Sequence, residues 1–119
     1  MNDKLDGISH IISATRYALQ GLARAWSEQQ AFRHEAAVLG ILFVVMLVTE
    51  QNLADVLLVL GGWLFVMSIE LLNSAVENAF NLISREQDDR IKAGKDMASA
   101  AIFLAIAANV GLWIFIFFG

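Results

Sequence analysis

Cysteine and proline are both absent from the 119 residues. Without cysteine there is no disulfide framework, no thiolate nucleophile and no Cys-based metal site. Without proline nothing forces a break in a long helix. Charge is scarce as well. Asp, Glu, Lys and Arg make up 17% of the chain, and the net charge of −4 argues against a polyanion such as nucleic acid as partner. The two histidines, His10 and His34, stand too far apart to suggest a zinc pair. Familiar site signatures are missing too. Gly94-Lys95 has the form of the end of a phosphate-cradling loop, but the earlier glycine would fall at Asp89, and Asp96 stands where Ser or Thr is required. There is no dinucleotide fingerprint, no kinase-type glycine-rich loop and no serine nucleophile elbow.

What fills the chain instead is apolar. The hydrophobic fraction is 58% before glycine is counted, against about 45–50% with glycine included in ordinary soluble domains. A chain this short has too little interior to hide that surface, so most of it is matched to lipid. The length fits one domain, residues 1–119. The clearest span, Met97 to Phe118, carries no formal charge over 22 residues and exceeds the roughly 30 Å of bilayer hydrocarbon. A second apolar run, Ala36 to Thr49, borrows from its flank and starts near Phe32. A third begins near Leu53 and continues past Ile69 into Glu70-Leu-Leu-Asn73-Ser-Ala-Val-Glu77. These readings predict an all-α membrane protein with transmembrane helices at about 32–49, 53–83 and 93–118.

An amphipathic helix at about 6–27 precedes the spans. Ile8, Ile11, Ile12, Thr15, Leu19, Leu22 and Trp26 recur at helical spacing, as expected of a helix in the membrane surface with Asp6 as its cap. It lacks the basic start and small-residue cleavage site of a signal peptide. All eight Lys and Arg lie either in the N-terminal region or between the last two spans, and none lies in the turn Glu50-Gln51-Asn52. By the positive-inside rule the N-terminus and the 84–95 connection are cytoplasmic and the C-terminus is outside.

Glu70, Asn73 and Glu77 share one helix face. Ionisable groups on an apolar helix are candidates for function. Counted from Leu53, Glu70 is 17 residues along, a rise of roughly 26 Å, which puts it at the cytoplasmic edge of the bilayer. The plainer reading is that these residues mark the wet end of a long helix, but two glutamates with an asparagine on one stripe are unusual for a solvated face. Two further polar clusters converge on the same surface: Glu28, Gln29, Arg33, His34 and Glu35 before the first span, and Glu86, Asp88, Asp89, Lys95 and Asp96 before the last. Carboxylates with a lysine suit a Mg²⁺–nucleotide complex, and a glutamate at an apolar boundary suits a general base on an alcohol held in the membrane. Ala98, Ala101, Ala105 and Ala108 offer a small-residue face, Gly61-Gly62 permits close helix approach, and so thin a bundle calls for self-assembly.

Ala31-Phe-Arg-His-Glu35, Glu70-Leu-Leu-Asn73-Ser-Ala-Val-Glu77, Ala93-Gly-Lys95-Asp96-Met-Ala-Ser-Ala-Ala and Tyr17-Ala-Leu-Gln-Gly21 resemble the corresponding strings of the bacterial integral-membrane diacylglycerol kinases, over nearly the whole chain. The resemblance implies a homotrimer with active sites built between subunits. It implies transfer of the ATP γ-phosphate, with Mg²⁺, to the hydroxyl of diacylglycerol, giving phosphatidic acid at the cytoplasmic face of the inner membrane. By position, Glu70 would be the general base and Asn73 its support, and Glu77 would be a metal ligand. His10, Tyr17, Gln29, Glu77, Glu86, Gln87, Asp88, Lys95 and Asp96 would serve the nucleotide. Ala14, Trp26, Ala31, Phe32, Arg33, His34, Glu35, Glu70, Ser99 and Trp113 would serve the lipid. Three positions depart from the family pattern. Gln29 stands where a second metal-binding Glu is expected, with Glu28 one residue earlier; His10 stands for Arg, and Asn81 for Asp. One residue turns a helical side chain by about 100°, so the second ligand that the resemblance implies would be Glu28 if the helix rotates or frays there, and otherwise Gln29 through its carbonyl. An undecaprenol kinase is the nearest alternative. A small transporter subunit would put its carboxylate near mid-bilayer, and a purely structural assembly protein would leave the Glu70 face unexplained.

Overall fold

The computed structural model describes residues 3–83, 86 and 88–119. It contains four helices: α1 (Asp3–Glu28), α2 (Gln30–Val48), α3 (Leu53–Ile83) and α4 (Asp89–Phe118). Two compact units can be separated, one ending at Gln30 and the other running from Ala31 to Gly119. In the first, α1 begins at Asp3 rather than at Asp6. Asp6 therefore lies within the opening turns instead of capping the helix, where a carboxylate still complements the helix dipole. The helix carries Ile8, Ile11, Ile12, Leu19, Leu22 and Trp26 as exposed apolar residues.

In the second unit, α2, α3 and α4 are all long and apolar enough to cross a membrane. α2 and α3 are joined by four residues, and the capping chemistry explains where each stops. Beyond Val48 the Glu50 amide donates to the Leu47 carbonyl (3.3 Å) and the Gln51 amide to the Met46 carbonyl (3.2 Å). Glu50 itself has φ 54°. Together these are a Schellman ending, with a side-chain-bearing residue in the left-handed position usually given to glycine. α3 then starts under Asn52, whose Oδ1 accepts from the Asp55 amide at 2.8 Å while its Nδ2 donates back to Asp55 Oδ2 at 3.3 Å. That reciprocal cap satisfies an amide that the first turn leaves unpaired.

The buried face of α2 is Phe32, Glu35, Leu42 and Met46; that of α3 is Val59, Trp63, Val66, Met67 and Glu70. Both sets follow the 3.6-residue period that brings side chains to one stripe. Trp63 binds α3 to α2, its Nε1 donating to the Glu35 carbonyl at 2.7 Å. It also reaches α4, its ring centre 5.4 Å from that of Trp113.

α3 and α4 are the helices in closest approach. They run antiparallel: Trp63 meets Trp113 at one end, while Phe80 meets Gly94 and Asn81 meets Lys95 at the other. Glycine makes two of these crossings possible. A Cβ on Gly62 would stand 2.6 Å from Asn109 Oδ1, and one on Gly94 would overlap the Phe80 ring. Of the expected Gly61-Gly62 pair, only Gly62 faces α4. The expected alanine stripe also divides, with Ala98 and Ala105 half-buried and Ala101 and Ala108 exposed. Spaced every three or four residues, the four drift around the helix relative to one neighbour, so only part of the stripe is covered.

Candidate functional site

The polar stripe of α3 lies at the end of the α3–α4 pair that carries the connection between them. Asn73 and Glu77 from α3, with Lys95, Ala98 and Ser99 from α4, line a cleft of about 200 Å³. The antiparallel register explains the set: Asn73 and Glu77 are one turn apart on α3, as are Lys95 and Ser99 on α4, so each helix contributes two polar groups to one groove. Lys95 Nζ donates to Asn81 Oδ1 at 2.7 Å, closing the end of the groove nearest the connection.

Glu70 sits one turn from Asn73, toward the middle of α3, and is buried. Glu35 on α2 is also buried, and its Oε1 has no hydrogen-bond partner among the described residues. The two carboxyl groups are close enough for their charges to interact, and Glu70 is similarly close to Glu77. A chain of acidic groups thus descends from the cleft into the apolar bundle, Glu77 to Glu70 to Glu35. Nearby on α2, Phe32 is buried, Arg33 half-buried, and Ala31 and His34 exposed.

Lys95 and Asp96 do not act as a pair. Asp96 Oδ2 accepts from Lys92 Nζ at 2.7 Å on the exposed side of α4. Neighbouring helical residues point about 100° apart, so the lysine that enters the cleft carries its neighbour out of it. Asp88 is the N-cap of α4, its Oδ1 accepting from the Arg90 amide at 2.8 Å. That bond, reinforced by the Arg90 side chain, holds the Asp88 carboxyl below its ordinary range by favouring the charged form. Glu86 is exposed, and Gln87 lies outside the described residues. Trp113, packed on Trp63, is 14 residues from Ser99, about 21 Å of rise toward the other end of α4.

His10, Ala14, Tyr17, Trp26, Glu28 and Gln29 all fall within the N-terminal unit. There Glu28 forms an ion pair with Arg24 at 3.4 Å. Gln29 is the non-helical residue after α1, its amide donating to the Ala25 carbonyl at 2.8 Å. Among the described residues no group of three or more His, Asp or Glu forms a metal site. Glu77, with the Asn73 amide oxygen beside it, nevertheless suits a divalent ion that takes one or two protein oxygens and completes its shell with phosphate and water.

Two polar residues gain a place outside the expected site residues, although one of them, Asn81, is also a departure from the family pattern. Asn81 continues the series Glu70, Asn73, Glu77 by one more turn, and extending that spacing would have found it. Asn109, the one amide in the last span, is buried between α3 and α4; its Nδ2 donates to the Ala105 carbonyl at 2.9 Å and its Oδ1 is left toward Gly62.

The family described as "Prokaryotic diacylglycerol kinase" matches residues 16–117. The diacylglycerol kinase of Haemophilus influenzae is 36% identical over 110 residues, 92% of this chain and 93% of the relative. That of Escherichia coli is 32% identical over 113 residues, 95% of this chain and 93% of the relative. The Pseudomonas aeruginosa enzyme is 32% identical over 113 residues, covering 95% and 92%.

Proposed function

Because the chain belongs to the prokaryotic diacylglycerol kinase family, and so is an ATP-dependent lipid kinase, we propose that it phosphorylates the hydroxyl of 1,2-diacylglycerol to give phosphatidic acid at the cytoplasmic face of the inner membrane. One observation carries the reading: a cleft lined by Glu77, Asn73, Lys95 and Ser99 stands one helical turn from the buried Glu70. A lipid alcohol is confined to the apolar side of such a boundary and a nucleotide to the aqueous side.

Glu70 takes the proton of the acceptor hydroxyl as its oxygen bonds to the γ-phosphorus. The bond to the β–γ bridging oxygen breaks, and that oxygen leaves with ADP. A carboxylate at the apolar end of the cleft is placed to meet an alcohol confined to lipid. Lys95 and Ser99 offer donors to the phosphate oxygens, and Asn73 orients the groups around Glu70. Glu77 would hold a Mg²⁺ ion; when bound, such an ion supplies positive charge to the transferring phosphate. The amphipathic α1 would lie in the membrane surface, and a homotrimer would let neighbouring subunits close each site.

The test is direct. Purified protein in mixed micelles is given Mg²⁺, radiolabelled ATP and either diacylglycerol or undecaprenol. Label in diacylglycerol is the expected result. Label in undecaprenol alone would reassign the acceptor, and label in neither lipid would overturn the proposed reaction.

A further inference from the structure

α2 and α3 fold back on each other across four residues, yet α3 makes its closest approach to α4. Trp63 spans the wider gap to α2. Its Nε1 donates to the Glu35 carbonyl at 2.7 Å in a buried contact, and its ring is backed on the α4 side by Trp113, 5.4 Å away between ring centres. A carbonyl oxygen has two lone pairs, so this one can accept the indole as well as its own helix amide. An indole N–H left unpaired among apolar groups would carry the cost of its desolvation. The bond therefore fixes α2 in height and in rotation, since the next carbonyl along lies about 1.5 Å further and 100° round.

What it fixes is a carboxyl group. Glu35 is buried, and its Oε1 has no partner among the described residues. Glu70 follows Trp63 by two turns on the same buried face of α3, about 10 Å of rise toward the connection with α4. Helical side chains lean toward their own N-terminus. In an antiparallel pair the two glutamates therefore lean toward each other, Glu35 from the level of the indole and Glu70 back to meet it. We propose that Trp63 is a positioning residue for the acceptor half of the site: by holding the Glu35 backbone, it keeps a second carboxyl group opposite Glu70, where the hydroxyl of the lipid is received. This rests on the kinase reading above and adds to it a residue that touches neither substrate.

The full-length protein in mixed micelles tests it through the KM for diacylglycerol, the KM for Mg–ATP and kcat. Trp63→Phe removes the donor and keeps a ring against Trp113. Benzothienylalanine placed at position 63, with sulfur for the N–H, keeps the bicyclic shape as well and serves should the phenylalanine variant fail to fold. Either is expected to raise the KM for diacylglycerol about two- to tenfold, the worth of one hydrogen bond. The KM for Mg–ATP should stay within about twofold of the parent, because the change is confined to one substrate. Val59→Ala, one turn away on the same buried face, is the control for lost stability. It opens a cavity without breaking a hydrogen bond, so it should lower the unfolding midpoint and leave the KM for diacylglycerol unchanged. An unchanged KM for diacylglycerol in the Trp63 variants would overturn the proposal. So would an equal rise in Val59→Ala, which would mean that loosening the bundle is enough, or an equal rise in the KM for Mg–ATP. Failure of the kinase reading is separate: the parent protein would label no lipid at all.

Discussion

Glu70 and Glu77 are the same residue type on one polar stripe of α3, yet their surroundings divide them. Glu77 is exposed in a groove with a lysine; Glu70 is buried, close enough to a second carboxyl group for their charges to interact. The first arrangement suits a ligand to metal and phosphate, the second a base facing a lipid alcohol. Glu70→Gln keeps the shape and removes the base. We expect kcat to fall by about 10²–10⁴-fold, the usual contribution of a general base, while the Kd for Mg–ATP changes little. Near-normal turnover in this variant would eliminate Glu70 as the base. Lys95 and Asp96 show where residue-level reading from sequence ends. Their identities pointed to phosphate chemistry, but adjacency in a helix separates side chains by a quarter turn or more, and only the neighbours Asn81 and Lys92 reveal which of them enters the cleft.

At the scale of elements, what was legible was periodicity. α3 spans the 53–83 expected from its apolar run, because Asn52 caps one end and no proline interrupts it. α4 begins at Asp89 rather than 93, since the Asp88 cap recruits a polar turn that hydropathy does not register. α2 runs 30–48 instead of 32–49, ended by the Schellman turn. That turn makes a prediction. Glu50 occupies a left-handed conformation that disfavours any side chain by roughly 1–2 kcal/mol. Glu50→Gly should therefore raise the midpoint of thermal unfolding in detergent, with a gain of about 0.5–1 kcal/mol once the extra freedom of unfolded glycine is deducted. Asn52→Ala, two residues further along the same connection, should lower stability by about 1 kcal/mol through loss of its cap.

The α3–α4 crossing gives a second test at this scale. Gly62→Ala improves helix propensity by roughly 0.8–1.0 kcal/mol but drives a methyl group into Asn109 Oδ1. Moving that amide breaks its bond to Ala105 in a dry environment and costs about 1–3 kcal/mol, so the single variant should unfold at lower denaturant. Asn109→Ala removes the obstacle, and the double variant should recover the propensity gain. Equal effects of Gly62→Ala in both backgrounds would refute the coupling. The crossing itself was readable as glycine and alanine in the sequence; its partner was not, because the close approach depends on which of two adjacent glycines faces α4.

At the scale of the whole molecule, Asn73, Glu77 and Lys95 lie at the end of the α3–α4 pair nearest its connection, and the positive-inside rule predicts that this end is cytoplasmic. The absence of cysteine makes the assignment easy to check, since a single introduced thiol is the only reactive one. Gln51→Cys should be labelled in intact spheroplasts by a maleimide that cannot cross the membrane, and Glu86→Cys only after permeabilisation. The reverse pattern would invert the topology. The amphipathic spacing of α1 suggested a place in the membrane surface and the thin bundle suggested self-assembly, but the number of subunits came from resemblance alone, because it depends on other copies of the chain, which a single sequence pattern does not encode.

α3 has 31 residues, about 46 Å of helix against roughly 30 Å of hydrocarbon. Measured from its capped end at Asn52, the stripe of Glu70, Asn73, Glu77 and Asn81 is graduated along a rigid rod, and the bilayer surface sets the zero from which each mark is read. A thicker membrane would draw Glu77 toward the acyl chains, and a thinner one would lift Glu70 toward water. Lipid would then be more than a solvent and a reservoir of substrate: its thickness would be one of the coordinates of the proposed site, and turnover should vary with the acyl-chain length of the surrounding bilayer.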